Sequence, residues 1–500
     1  MTERPRSTPA SRRPAGGNRT SRVVDQARAA ALEASSALDE RDAYVNLVLP
    51  AVLRRRRLSG RDAAFATELT YGSVRGRGTY DPILAHAAGR PLAEISPPLL
   101  VDALRLGAHQ VLAMRVPPHA AVSATVDLVS QAVGAGPARL ANAVLRRVAE
   151  RDLDAWLELV APPADTDPDG HLAVATSHPA WVVRALRDGL AAHGRPVTEL
   201  PDLLAADNAA PAVSLAVLPG LGDAEAARAA GGRPGRMSPL ALLAGGAPHD
   251  VPGVRQGTIR VQDEGSQAVA LALAAAELDG PDAGRWLDLC AGPGGKAALL
   301  AALQQERRRE GVLGEGAHLD AVEVSPHRAG LVRSALRPLP SSAWTVHEGD
   351  GRELAEELAS HCPGGGFDRV LLDAPCTGLG ALRRRPEARW RREPGDVGDL
   401  AQLQRALLRA ALEAARPGGV VAYVTCSPHR AETSLVVDDV LRRRPADARP
   451  VRKLDAAAVS RAALGREDLD LGSGPDVQWW PHLHGCDAMF LSLLKVGAHE

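Results

Sequence analysis

From about residue 256 to the end of this 500-residue chain, short apolar runs alternate with longer Ala- and Leu-rich runs, and this alternation constrains the fold more than any other feature. The runs 285–290, 319–324, 344–347, 369–373, 420–425 and 489–494 read as strands, and the stretches between them as helices, except that the charged stretch 304–318 reads as a surface loop. Alternation of this kind argues for an α/β, Rossmann-like domain: a parallel sheet with helices on both faces. In such a sheet ligands bind at the carboxyl ends of the strands. The functional question is therefore what each strand ends in.

Ahead of it the chain changes character. Residues 1–22 are rich in Arg, Ser, Pro, Gly and Thr and nearly free of apolar side chains, a composition expected of a disordered basic arm. Residues 23–150 are predicted to be all-helical: Val45, Leu49, Val52 and Leu53, then Leu104, Ala108, Val111 and Leu112, then Val122, Val126 and Val129 repeat at helical spacing. Residues 151–255 carry Pro clusters, helical pieces such as 181–190 and one strand-like stretch, 212–218, and read as a connecting subdomain of mixed structure. The domain at 256–500 completes the chain.

The first strand runs into Cys290-Ala291-Gly292-Pro293-Gly294-Gly295-Lys296, a glycine loop that lets a nucleoside-like ligand lie against the main chain. The second ends at Glu323, an acid suited to two ribose hydroxyls, and the third leads to Asp350, within reach of an adenine amine. No Gly-Lys-Ser/Thr loop is present, so a nucleoside cofactor without a triphosphate fits better than a nucleotide. The fourth ends in Asp373-Ala374-Pro375-Cys376-Thr377-Gly378 and the fifth in Thr425-Cys426-Ser427. Two thiols at neighbouring strand ends face one crevice, although each alone is as well explained as an inert buried cysteine.

These motifs, with Arg383-Arg384-Arg385-Pro386 and Trp390 behind them, resemble those of the S-adenosylmethionine-dependent RNA cytosine-5 methyltransferases. The N-terminal region resembles the NusB-like domain of the RsmB (Sun/Fmu) branch, and the 142–147 segment is similar to that domain's last helix. The resemblance implies methylation of carbon 5 of a cytosine in RNA, 16S rRNA first, with transfer RNA or 23S rRNA as alternative substrates. It implies Cys426 as the nucleophile that adds to carbon 6, Cys376 as the releasing residue, Asp373 on the base and Lys296 beside thiolate or base. S-adenosylmethionine is expected along 290–296, with Glu323, Asp350 and Asp373. Because a Pro-Cys motif supplies the nucleophile in DNA cytosine methyltransferases, the sequence leaves the swapped assignment open. Arg383, Arg384, Arg385, Arg389 and Trp390 are expected to contact RNA, since they flank the crevice.

Composition sets limits. With 59 basic against 60 acidic residues the formal net charge is −1, so RNA contact has to come from local patches. No apolar run reaches the roughly 20 residues that span a bilayer, and a cytoplasmic protein without an obligate protein partner is expected. All five cysteines lie in the C-terminal half of the chain. His482, His484 and Cys486 alternate, but a fourth ligand is not evident and no metal is expected. A non-catalytic RNA-binding or assembly factor is the competing reading of another class. The intact cysteine pair speaks against it.

Overall fold

The computed structural model describes residues 25–41, 44–362, 364–472 and 474–498, with side chains omitted for 39–41. The basic arm at 1–22 lies outside them. Helices run from Gln26–Arg41 to Leu200–Asn208. Leu104, Ala108, Val122 and Val129 bury in one core with Leu69, Ile83, Leu84 and Leu145. Val45, Leu49 and Val52 form a smaller cluster against Ala30 and Ala66. The apolar periodicity thus marks the faces that pack.

A four-stranded antiparallel sheet follows, built on Ser214–Val217 with Ala241–Leu243 and Ile259–Val261 on either side. It extends to Val261, several residues beyond the boundary expected at 255, because Ile259 and Arg260 pair with Val217 and Ala216. The α/β domain therefore starts with the helix Glu264–Ala275.

Its eight-stranded sheet comprises β1 (Arg285–Asp288), β2 (His318–Glu323), β3 (Trp344–Glu348), β4 (Phe367–Asp373), β5 (Ala415–Thr425), β6 (Val451–Lys453), β7 (Val477–Gln478) and β8 (Phe490–Val496). The order is β6-β8-β5-β4-β1-β2-β3, with β7 on β8. Strands β5, β4, β1, β2 and β3 are mutually parallel, whereas β8 is antiparallel to β5, with Phe490 opposite Thr425. Side chains alternate across this sheet. Trp286, Leu371, Val420 and Ala422 enter one core with the helices Glu264–Ala275 and Gly295–Arg309. Leu287, Val370, Leu372 and Val421 enter the other with Pro394–Ala414. Burial on both faces makes these strands continuous apolar runs in the sequence.

Of the charged stretch 304–318, expected as a surface loop, residues 304–309 instead prolong the helix Gly295–Arg309, and only 310–317 form the turns of a loop. Gln304 is buried and donates to the Gly284 carbonyl at 3.0 Å, tying the helix to the strand before it. Among the described residues no helix is long and apolar enough to cross a membrane.

Candidate active site

Strands β4 and β5 lie side by side, with Asp373 opposite Val424, so the loops that leave them start at the same level. That register brings Cys376 and Cys426 to 3.4 Å between sulfurs, each only partly buried. The Gly380 amide donates to the Cys426 carbonyl at 2.9 Å and fixes one loop on the other.

The surroundings separate the two thiols. Cys426 is held below the ordinary thiol range, first because Cys376 hydrogen-bonds to it, with the charges of Arg385 and Lys296 adding to the effect against burial and Asp373. Cys376 is pushed well up, by the same hydrogen bond, by burial and by the negative charges of Cys426, Glu432 and Asp373. The two surroundings thus act in opposite directions, lowering the Cys426 thiol and raising that of Cys376. Lys296 Nζ donates to Asp373 at 2.9 Å and to Ser266 Oγ at 3.3 Å. Burial works against its charge, but Asp373 outweighs burial and the pKa is raised, so Lys296 stays cationic beside Cys426.

The glycine loop lies at the end of β1. Gly294 has φ +100°, and a Cβ there would sit 2.6 Å from the Ala335 methyl, so only glycine fits between the loop and the next helix. Glu323, buried at the end of β2, accepts from the Gly292 amide at 3.0 Å and the Ser325 amide at 3.0 Å. Arg328 leans over it at 3.4 Å and donates to the Gly292 carbonyl at 2.6 Å. At Gly292 a Cβ would lie 2.2 Å from Glu323 Oε2 and 2.7 Å from Arg328 Nε, so any side chain there has to displace the ends of those two. Asp350 is at the end of β3, beside Glu323, whose carbonyl accepts from the Gly349 amide at 3.2 Å. It caps the helix Gly351–Ser360, and its pair with Arg352 holds its carboxyl below the usual range.

Sequence reasoning missed Asp288, the last residue of β1. It is 1% exposed and neither carboxylate oxygen has a hydrogen-bond partner. Burial pushes its pKa up to about 8, with the neighbouring charges of Asp373 and Glu323 acting the same way. An acid at the end of a central strand, two residues before the glycine-loop motif, is the signal that could have found it. Cys290 is not reactive: burial drives its thiol well up.

The expected RNA contacts divide. Arg389 is wholly buried and donates to the carbonyls of Ser177 and Asp207 and to Asn208 Oδ1, at 2.8, 3.3 and 2.9 Å. Trp390 donates to the Val74 carbonyl at 3.0 Å and its ring lies against Gly78. Both fasten the α/β domain to the helical regions, and for Arg389 this corrects its expected place on RNA: a guanidinium without solvent access cannot meet a phosphate. Arg383 is 7% exposed and donates to the Gly485 carbonyl, so it too serves the interior. Arg384 pairs with Asp487 but stays partly exposed, and Arg385 is stacked 5.2 Å from the ring centre of Tyr44. Arg384, Arg385 and Trp390 are the three of the five that stay partly exposed. His482 and His484 sit in the short helix Pro481–His484, directed to Glu199 and to the Asp470 carbonyl. Among the described residues no cluster of three or more His, Cys, Asp or Glu is placed to hold a metal.

Residues 275–495 match the 16S rRNA methyltransferase RsmB/F family and residues 25–150 the NusB family. The chain is 51% identical over 476 residues to Rv1407 of Mycobacterium tuberculosis, described only as a candidate methyltransferase, covering 95% of this chain and 97% of that one. It is 30% identical over 427 residues to the ribosomal RNA small subunit methyltransferase B of Salmonella paratyphi B, covering 84% and 90%. Among solved structures, PH0851 superposes with a TM-score of 0.73 at 21% identity, over 95% of this chain and 99% of that one, a likeness of fold.

Proposed function

Since the chain belongs to the RsmB/F family of S-adenosylmethionine-dependent RNA methyltransferases and carries a NusB-family domain ahead of its catalytic sheet, we propose that it methylates carbon 5 of a cytosine in 16S rRNA through a transient Cys426 adduct. The observation that carries this reading is the pair of sulfurs 3.4 Å apart at adjacent strand ends.

Carbon 5 of cytosine is too weak a nucleophile to take a methyl group unaided. Addition of the Cys426 thiolate to carbon 6 turns the ring into an enamine whose carbon 5 can attack. S-adenosylmethionine supplies a methyl group activated by its sulfonium. Once carbon 5 carries the methyl, its proton has to leave and the carbon–sulfur bond to Cys426 has to break. Cys376, in contact with that sulfur, takes the carbon 5 proton as Cys426 leaves: with Cys426 bonded to carbon 6 its negative charge no longer opposes ionisation of Cys376, whose own proton passes to solvent. Asp373 presents its carboxylate to the amino edge of the base, held in place by Lys296. The target cytosine has to leave its stack to reach a half-buried thiol, which favours a loop or a locally opened helix. Arg384 and Arg385, near the thiols and partly exposed, are the arginines of the expected set still available to phosphates.

The pocket fits the cofactor on its own terms. An unpartnered, buried Asp288 beside the glycine loop calls for a cationic donor, and the methionine end of S-adenosylmethionine carries an ammonium. Glu323 and Asp350 would take the ribose and the adenine.

The test is methylation of 16S rRNA, transfer RNA and 23S rRNA with labelled S-adenosylmethionine, followed by bisulfite sequencing. One protected cytosine in the 16S rRNA is expected. Label on transfer RNA or 23S rRNA alone would replace the substrate, and no transfer to any RNA would leave the binding-factor reading.

A further inference from the structure

Glu432 is completely buried just beyond β5, and every hydrogen bond its carboxylate accepts comes from a neutral group. Oε1 takes the Thr377 amide at 2.7 Å and Gln404 Nε2 at 3.2 Å. Oε2 takes the Thr377 hydroxyl and, at 2.7 Å, Ser427 Oγ. Thr377 directly follows Cys376, and Ser427 directly follows Cys426. A third link closes the arrangement: Gln404 also donates to the Pro375 carbonyl at 2.8 Å, on the other side of Cys376. A buried carboxylate with no cation of its own is costly to the fold, and this one sits where it joins the two thiol loops.

We propose that Glu432 is the positioning residue of the reaction: by bridging the residues that follow the two cysteines, one carboxylate sets the approach of the sulfurs and assigns them different roles. This rests on the thiol-adduct reading above. The geometric part follows from the bonds, since neither loop can swing away without leaving a buried acceptor unpaired. The division of roles follows from the charge. Glu432 is among the groups that keep Cys376 protonated, whereas the groups that act on Cys426 include Lys296 and Arg385. The mechanism needs one thiolate to add and a second sulfur that stays protonated until the adduct has formed, and a negative charge behind Cys376 enforces that order.

The test uses Glu432→Gln, which keeps the shape and one acceptor but removes the charge, and Ser427→Ala, which removes a single tie and covers the case in which the first variant does not fold. For both, kcat is expected to fall about 100-fold, the scale of a misplacement near 1 Å, with KM for RNA and for S-adenosylmethionine moving less than roughly threefold. A second readout needs no RNA. Substoichiometric iodoacetamide followed by peptide mass spectrometry should label Cys426 in the unaltered protein, and in Glu432→Gln the share of label on Cys376 should rise roughly tenfold. Unchanged kcat in a folded variant overturns the proposal. So does a loss of kcat matched by lost cofactor affinity and lower melting temperature with the labelling pattern intact, which would make Glu432 a fold residue only. Failure of the adduct reading itself would show separately, as absence of any denaturation-resistant RNA complex in Cys376→Ala with Glu432 in place.

Discussion

The loops that carry Cys376 and Cys426 and the arginine-rich segment 383–392 follow one another in space and nearly in sequence, yet they use their chemistry in opposite directions. The loops leave two sulfurs partly exposed, backed by buried bonds to Glu432. The segment turns Arg389 wholly inward and lays Trp390 against the helical domain, while Glu387 accepts from the Val45 amide at 3.2 Å and Arg391 stacks 5.3 Å from the Tyr44 ring centre. Reactivity at a strand end is set by sheet topology, which directs every parallel strand's carboxyl end to the same side. A run of arginines obeys no such rule. Its side chains are long enough to face solvent or to satisfy carbonyls inside, and the neighbouring surfaces decide.

The contrast can be broken most forcefully at the thiols. Cys426→Ala is expected to lower methyl transfer by about four orders of magnitude or more and to form no RNA complex on denaturing gels. Cys376→Ala should stop turnover equally while a covalent complex accumulates. The reverse pattern would exchange their roles.

The segment predicts a different kind of loss. Arg389→Ala leaves the acceptors at Ser177, Asp207 and Asn208 unpaired and should cost roughly 3 kcal/mol in urea unfolding. RNA affinity and its salt slope, measured on the folded fraction, should not move. A slope reduced by about one would return Arg389 to the RNA. Arg384→Ala is the matched control and should reduce it.

Asp288 sharpens the comparison from the cofactor side. Its native pKa of about 8 lies above its ordinary value of 3.8, so the folded carboxyl keeps a proton that the unfolded chain releases. Stability from this group is therefore full below about pH 4 and falls as pH rises to 8. Asp288→Asn should flatten that slope, making the cofactor-free protein the more stable of the two above pH 8, and should weaken S-adenosylmethionine about tenfold by calorimetry. The smallest effect belongs to Gly292→Ala. The added methyl must displace Glu323 or Arg328, and a few-fold weaker cofactor affinity is expected from a strain of about 1 kcal/mol.

Much of this site is legible along the chain because its residues sit at predictable places. Glu323, Asp350, Asp373, Cys376 and Cys426 each end or follow a strand whose apolar run is plain to read. Asp288 escaped because it lies inside such a run, where an acid looks like a strand residue rather than a ligand. Glu432 escaped because its importance lies in partners 55 and 5 residues away, Thr377 and Ser427, that no local pattern links to it. The charged stretch after Gln304 misled in the other direction: charge suggested a loop, but Gln304 satisfies a buried carbonyl and the helix continues.

By itself the sequence determined the alternation of strand and helix, the helical character of the N-terminal region and the identity of the groups at the strand ends, because periodicity and motif spacing are local properties of the chain. Tertiary structure alone decided that the two sulfurs meet, which arginines reach solvent and what Glu432 holds together. Each of those depends on the dielectric and the donors supplied by segments distant in sequence, and these exist only once the domains have packed.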